Sequence, residues 1–401
     1  MRHITKNVLV LGWVSFLTDV SSEMILPILP LFLVTTLGVG QASVGLIEGV
    51  ADATASFLKG ISGWFSDRLG RRRFFVVSGY VLSSAVRPIV ALTTSWAQVL
   101  GVRFLDRIGK GIRSAPRDAL IADSSSAANR GRSFGFHRSM DTAGAVVGSL
   151  IAFGILSFKT DAFRTIFGLS AVPGFLSVLA LCVFLREPKN ERRAEISTSF
   201  QESKTLGKGF FRFLVLIVLL TLGQLGYAFA LLRANGIGIS IRMVPLIYLV
   251  YNVVYSVFSM PAGILSDRWG RVQLLAWGIL LNILLTVGMA FVETPLFMVA
   301  LFIVYGLVSS IYETIPRALA SDLAPRTIRG TGFGFYHTVV GITALPASFF
   351  FGFLWEHVHV RAAFVFSSGV SLVAFLWLVL FFKGFLKNRI HQPDRQHGFG
   401  F

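Results

Sequence analysis

Of 401 residues, 54% are hydrophobic and 14% charged, and the mean hydropathy is positive; this excludes an ordinary soluble domain and matches a chain that crosses a membrane repeatedly. The formal charge of +17 could suit a nucleic-acid binder, but most of the excess sits in alternate loops between apolar runs, where the positive-inside rule places it. Cys182 is the only cysteine, so neither a disulfide nor a thiolate metal cluster contributes to the fold.

Twelve apolar runs of about 20 residues follow one another, each long enough to cross ~30 Å of hydrocarbon. The first, 7–36, follows Arg2 and Lys6 without a small-residue cleavage site, so it reads as a spanning helix and not a signal peptide. Asp19 and Glu23 lie midway along it, and Pro27 and Pro30 predict a bend beyond them. The second run, 42–65, carries Gly45, Gly49, Ala53 and Ala55, whose small side chains allow close helix packing. Arg68, Arg71, Arg72 and Arg73 at its end mark a cytoplasmic side. The third run is 74–93, and the fourth, 96–122, is the most polar of all. A loop over Ser124–Arg132 leads to the fifth and sixth runs, 133–158 and 162–185.

Residues 186–209 are rich in Lys, Arg, Glu and Ser and read as a cytoplasmic linker between bundles at 1–185 and 210–385. The second bundle has runs at 210–234, 243–265, 273–292, 296–321, 332–355 and 361–383, followed by a basic tail at 386–401. About two dozen Lys and Arg fall in the termini, linker and one set of loops against about five in the other set, which places both termini inside.

The halves look like copies of one unit. Asp67-Arg68-Leu69-Gly70-Arg71 returns 200 positions later as Asp267-Arg268-Trp269-Gly270-Arg271, and Pro116-Arg117 as Pro316-Arg317. Arg130-Gly131 with Phe134-Gly135-Phe136 answers Arg329-Gly330 with Phe333-Gly334-Phe335 at an offset one shorter. The expected fold is therefore an all-α membrane protein with twelve transmembrane helices in two pseudo-symmetric six-helix bundles. In the repeated stretch an acid at a helix end, a turning Gly and a following Arg can form a charge-paired clasp that closes one face and releases it in turn. Its members are Gly63, Asp67, Arg68, Gly70 and Arg71, with Asp267, Arg268, Gly270 and Arg271 in the second copy; Arg72 and Arg73 are expected only to set topology.

In the fourth run Arg103, Asp106, Arg107, Lys110, Arg113 and Arg117 fall within an arc of roughly 120°. Each charge costs ~2.5–3.5 kcal/mol at the bilayer centre even on the lenient insertion scale, so this face must line water or partners. Asp19 and Glu23 share one face of the first run, with Ser21 and Ser22 between them, while Glu313 and Arg317 are the repeat mates of Arg113 and Arg117. Static neutralisation of Arg103 by Asp106 is an alternative role for that pair, and Glu48 and Asp52 are expected to pair with Lys59 or Arg87. His137 and His337 read as interfacial hydrogen-bond partners, and the two ligands His357 and His359 do not make a metal site.

Twelve spans in two halves, a charged linker and the repeated loop resemble the major facilitator superfamily of secondary transporters. The family's G-x-x-x-D-R-x-G-R-R signature is matched throughout by Gly63 to Arg72, and by Gly263 to Arg271 except that Val272 replaces the last Arg. The resemblance implies that the first and fourth helices of each half line a central cavity and that transport proceeds by alternating access. Surplus Arg in such a cavity attracts carboxylates or phosphates, because the guanidinium fork matches both. The expected solute is thus a small organic anion, or one with an anionic group, held by Arg113, Arg117 and Arg317 with Lys110 and Arg107 beside them. Carboxylates beside a basic cluster suit proton coupling, and the candidates are Asp19, Glu23 and Glu313, then Asp106 and Asp141; sodium is the other ion these residues allow.

In proton-driven exporters of the superfamily the fifth helix carries G-x-x-x-G-P-x-x-G-G. Gly144 and Gly148 fit that spacing, but Ser149 stands in place of Pro, and the glycines equally suit a close helix contact. Drug or metabolite antiport and uptake of a polycarboxylate, siderophore-like chelate are alternative transport readings. A membrane-embedded transferase would need paired acidic motifs to hold Mg²⁺, which the sequence lacks, and a sensor would carry an added soluble domain. The reading is a non-enzymatic transporter of the bacterial inner membrane, a monomer whose partners are lipid, solute and coupling ion, with no cofactor, metal or nucleic acid.

Overall fold

The computed structural model describes residues 5–69, 71–125, 129–186, 207–324 and 329–381. The expected linker, apart from its ends, and the expected basic tail lie outside the described residues. Among them no strand occurs, and the helices form twelve spans: α1 (Lys6–Thr36), α2 (Gln41–Leu69), α3 (Arg72–Leu92), α4 (Trp96–Asp123), α5 (Arg130–Phe158), α6 (Phe163–Phe184), α7 (Lys208–Gly236), α8 (Ile241–Trp269), α9 (Arg271–Phe291), α10 (Pro295–Leu323), α11 (Arg329–His357) and α12 (Val360–Phe381). Ten are long and apolar enough to cross a membrane. The two that miss, α2 and α4, have 29 and 28 residues, so charge and not length sets them apart. The free surface is apolar, with Phe175 and Val183 on α6, Trp277 and Leu284 on α9, and Leu376 and Leu380 on α12 exposed, as contact with hydrocarbon demands.

The first helix of each half is broken. In α1 the chain turns at Leu26–Ile28 between the main helix and a short Leu29–Leu31 segment that ends in a π turn, because Pro27 and Pro30 each remove a helical N–H. The break in α7, between Gly223 and Tyr227, has no proline. Its freed carbonyls are satisfied from neighbouring helices: Gly223 accepts from Asn282 Nδ2 at 3.0 Å and Ser367 Oγ at 2.6 Å, and Leu225 accepts from the Tyr305 hydroxyl at 2.7 Å. The run expected as a continuous 210–234 span is therefore two helices in line.

The halves meet along two pairs, α2 with α11 and α5 with α8. In the first, backbones touch: a Cβ on Gly45 would strike the Ser348 carbonyl, one on Gly49 would lie 2.9 Å from the Leu345 backbone, and one on Gly352 would strike the Gln41 carbonyl. At that end the Glu356 carboxylate accepts the Ala42 N–H at 2.8 Å and caps α2 from the opposite half. In the second pair Thr142 and Ser256 share a hydrogen bond of 2.6 Å, and the Arg138 guanidinium lies 5.1 Å from the Tyr255 ring. The α2–α11 contact with its Glu356 cap thus closes the end away from the basic loops.

Candidate functional site

Between the halves lies a cavity of about 760 Å³. It runs from Leu26, Val90 and Val102 at its sealed end to Arg117, Phe333 and Gly334 near the basic loops. Side-chain exposure follows the same axis: Arg103, Glu48, Arg87 and Asp106 are 5–8% exposed, whereas Glu313, Arg317 and Asp118 are 44%, 48% and 50% exposed. The cavity is open toward the basic-loop face.

The five residues expected to hold solute and the five expected to couple protons all line this one cavity. They differ in what else they touch. Arg117 is tied to its neighbour Asp118 at 2.9 Å, Arg317 to Glu313 one turn before it, and Asp141 accepts from Ser15 with His137 Nδ1 3.6 Å away. Asp106 accepts from Arg87 Nε at 2.9 Å and lies 3.9 Å from Arg103. Among the described residues Arg107, Lys110 and Arg113 have no carboxylate within 4 Å, and Asp19 and Glu23 have no cationic nitrogen within 4 Å.

Local packing holds the unpaired cations in place. On α4 glycine alternates with charge: Gly109 packs against the Gly79 carbonyl of α3 and Gly111 against Leu58 of α2, which leaves the face of Arg107, Lys110 and Arg113 toward the void. Arg113 is 4% exposed and stacks 4.3 Å from the Tyr80 ring centroid, and its Nη1 has no hydrogen-bond partner. Arg107 is 7% exposed with Nε likewise unmatched. The lining carries nine Lys or Arg against six Asp or Glu, so the static pairs leave positive charge over.

At the sealed end Arg103 Nη2 donates to both Glu48 oxygens at 2.7 and 2.9 Å, and the Tyr227 hydroxyl of α7 donates to Glu48 at 2.9 Å. This buried cluster ties one half to the other above the cavity. Glu48 was expected to meet Lys59 or Arg87; instead Arg87 takes Asp106 and the Thr18 carbonyl at 3.1 Å. Glu48 and Arg103 meet because each lies seven residues inside the end of its helix at this face. Nothing in the sequence signalled Tyr227, which comes from the broken stretch of α7.

Of the expected clasp, Gly70 and the Asp67 side chain lie outside the described residues. Gly63 sits against Ala115 of α4, while Arg68, Arg71 and Arg268 are exposed. Gly270 turns the chain with φ +107°, a conformation that favours glycine. Arg271 reaches Asp267 at 3.8 Å but Asp322, at the end of α10, at 3.0 Å. In the first half the matching ion pair is Arg72 with Asp123 of α4, so Arg72 does more than set topology. Both pairs anchor the repeated loop to the fourth helix of its half.

The family model of the Major Facilitator Superfamily matches residues 11–233 and 213–398. An uncharacterized MFS-type transporter of Methanocaldococcus jannaschii is 36% identical over 384 residues, covering 94% of this chain and 95% of the relative. Among solved structures, a mutant of the nucleoside transporter NupG superposes with a TM-score of 0.81 at 15% identity, over 94% of this chain and 99% of that one. A bacterial homolog of the human lysosomal transporter Spinster, inward-facing and unoccupied, gives 0.76 at 17% identity, over 96% and 98%.

Proposed function

This chain belongs to the Major Facilitator Superfamily, and on that premise we propose that it carries a small organic solute with an anionic group by alternating access, driven by protons. The observation that carries this reading is the trio Arg107, Lys110 and Arg113, which faces a solute-sized cavity with no carboxylate within 4 Å. A buried cation without a counter-charge is costly, and an arriving carboxylate or phosphate removes that cost through the fork geometry of arginine. With the basic loops on the cytoplasmic side, this conformer is open inward and Glu48, Arg103 and Tyr227 close the outer path. Alternating access then requires Tyr227 to part from Glu48 while α2 and α11 separate at that end.

Asp19 and Glu23 are the coupling carboxylates in this reading. Asp106 is held by Arg87, Glu313 by Arg317, and Asp141 by Ser15, whereas Asp19 and Glu23 face the void. The test is solute counterflow in proteoliposomes, with solutes found by thermal-shift screening against anionic metabolites, chelators and drugs. Arg107→Gln and Arg113→Gln should each slow transport by about 10- to 100-fold, the value of a charge-assisted hydrogen bond, with folded yield kept. Asp19→Asn or Glu23→Gln should lose the response to an imposed pH gradient. Normal transport in both arginine variants contradicts the anion site, and an intact gradient response in both acid variants contradicts the coupling sites.

A further inference from the structure

Asp19 and Glu23 stand across the cavity from a basic strip they do not touch. Elsewhere in the lining some acids and bases meet directly, as Arg87 does Asp106 and Arg317 does Glu313. The acids of α1 and the cations Arg107, Lys110 and Arg113 of α4 instead stay more than 4 Å apart, and glycine contacts hold each helix in place. Gly144 and Gly148 of α5 pack against the Phe16 and Val20 carbonyls and would place a Cβ 3.0 Å from the Cβ atoms of Asp19 and Glu23. This fixes where α1 lies, while Gly109 and Gly111 fix α4 on the other side.

Hydrogen-bonding capacity of both kinds is left over in the walls that border the gap. Glu23 Oε2 is a buried acceptor without a donor, and Arg107 Nε and Arg113 Nη1 are buried donors without an acceptor. A simple anion would satisfy the second set and leave the first. The second half adds Asn252, Tyr255 and Ser256 to the lining, and among the described residues none of its cations lies within 4 Å of Asp19 or Glu23.

We propose that the solute is a zwitterion, its carboxylate or phosphate held by Arg107, Lys110 and Arg113 and its ammonium group by Asp19 and Glu23. An ammonium offers three donors and no acceptor, which suits two carboxylates one helix turn apart. This inference rests on the anion reading above and narrows its substrate class.

The test uses the purified full-length chain and matched compounds: ω-amino carboxylates and aminoalkyl phosphates, the same acids without the amine, and the same amines without the acid. Binding is followed by thermal stabilisation and by titration. A compound with both charges should bind about tenfold or more tightly than either single-charge counterpart. Asp19→Asn and Glu23→Gln, both near-isosteric, should erase the advantage given by the amine while the anion-only compounds still bind, and Arg113→Gln should weaken both series. If the amine brings no advantage in any pair, or its advantage survives both acid variants, the zwitterion proposal is overturned and the anion reading stands. Binding by amines alone that ignores Arg113→Gln overturns both.

Discussion

Asp106→Asn is expected to destabilise the protein by about 3–5 kcal/mol, the cost of removing one member of a buried ion pair. Asp106 and Arg87 are 8% and 6% exposed, and the second cation near Asp106, Arg103, is 3.9 Å away. Without the carboxylate, Arg87 keeps only the Thr18 carbonyl beside a cavity that already holds excess positive charge. The double variant Arg87→Met/Asp106→Leu should regain most of the loss, since both charges leave together. Reversible unfolding in mixed micelles gives both values. A single variant within about 1 kcal/mol of the parent would show that water from the cavity already solvates the pair.

Gly144→Val and Gly148→Val should abolish transport while most of the protein still folds. At Gly144 a Cβ would collide with the Phe16 carbonyl, and at Gly148 it would lie 2.7 Å from the Val20 carbonyl. Backbone cannot yield as a flexible side chain would, so α1 and α5 must part, at an overpacking cost of roughly 1–3 kcal/mol. Asp19 and Glu23 move with α1, and a misplacement of ~1 Å can cost about 100-fold in rate. Gly144→Ala should give a smaller loss. The checks are counterflow and the size-exclusion profile of each variant; full transport in both valine variants would mean that the packing of α1 on α5 does not position the acids.

Much of this was legible in the amino-acid pattern because helical periodicity and the repeat decide which face a residue occupies. The polar arc on α4, the i,i+4 acids on α1 and the repeat mates on α10 all arrive at one cavity, and the bend in α1 follows from two prolines. Depth is another matter. Periodicity does not say which level of one helix meets which level of another, so the partners Glu48–Arg103 and Arg87–Asp106 were assigned differently from the sequence. The break in α7 carried only a faint signal, Gly223 and Gly226 flanking Gln224 in an apolar run, because its carbonyls are satisfied by Asn282, Ser367 and Tyr305 from other helices. The loop anchors could have been found: Arg72 and Arg271, like Asp123 and Asp322, stand 199 positions apart, so the repeat applies to the ion pair as well as to the loop.

The proposed attraction of anions to the strip on α4 can be measured without knowing the solute. With Cys182→Ser as background, Ser114→Cys adds one near-isosteric thiol beside Arg113 in the cavity lining. It should react about tenfold or more faster with a sulfonate-bearing thiosulfonate than with its trimethylammonium counterpart, measured against a free thiol with both reagents, and the bias should shrink with salt. Equal rates, a preference for the cationic reagent, or no labelling from the basic-loop side would contradict it.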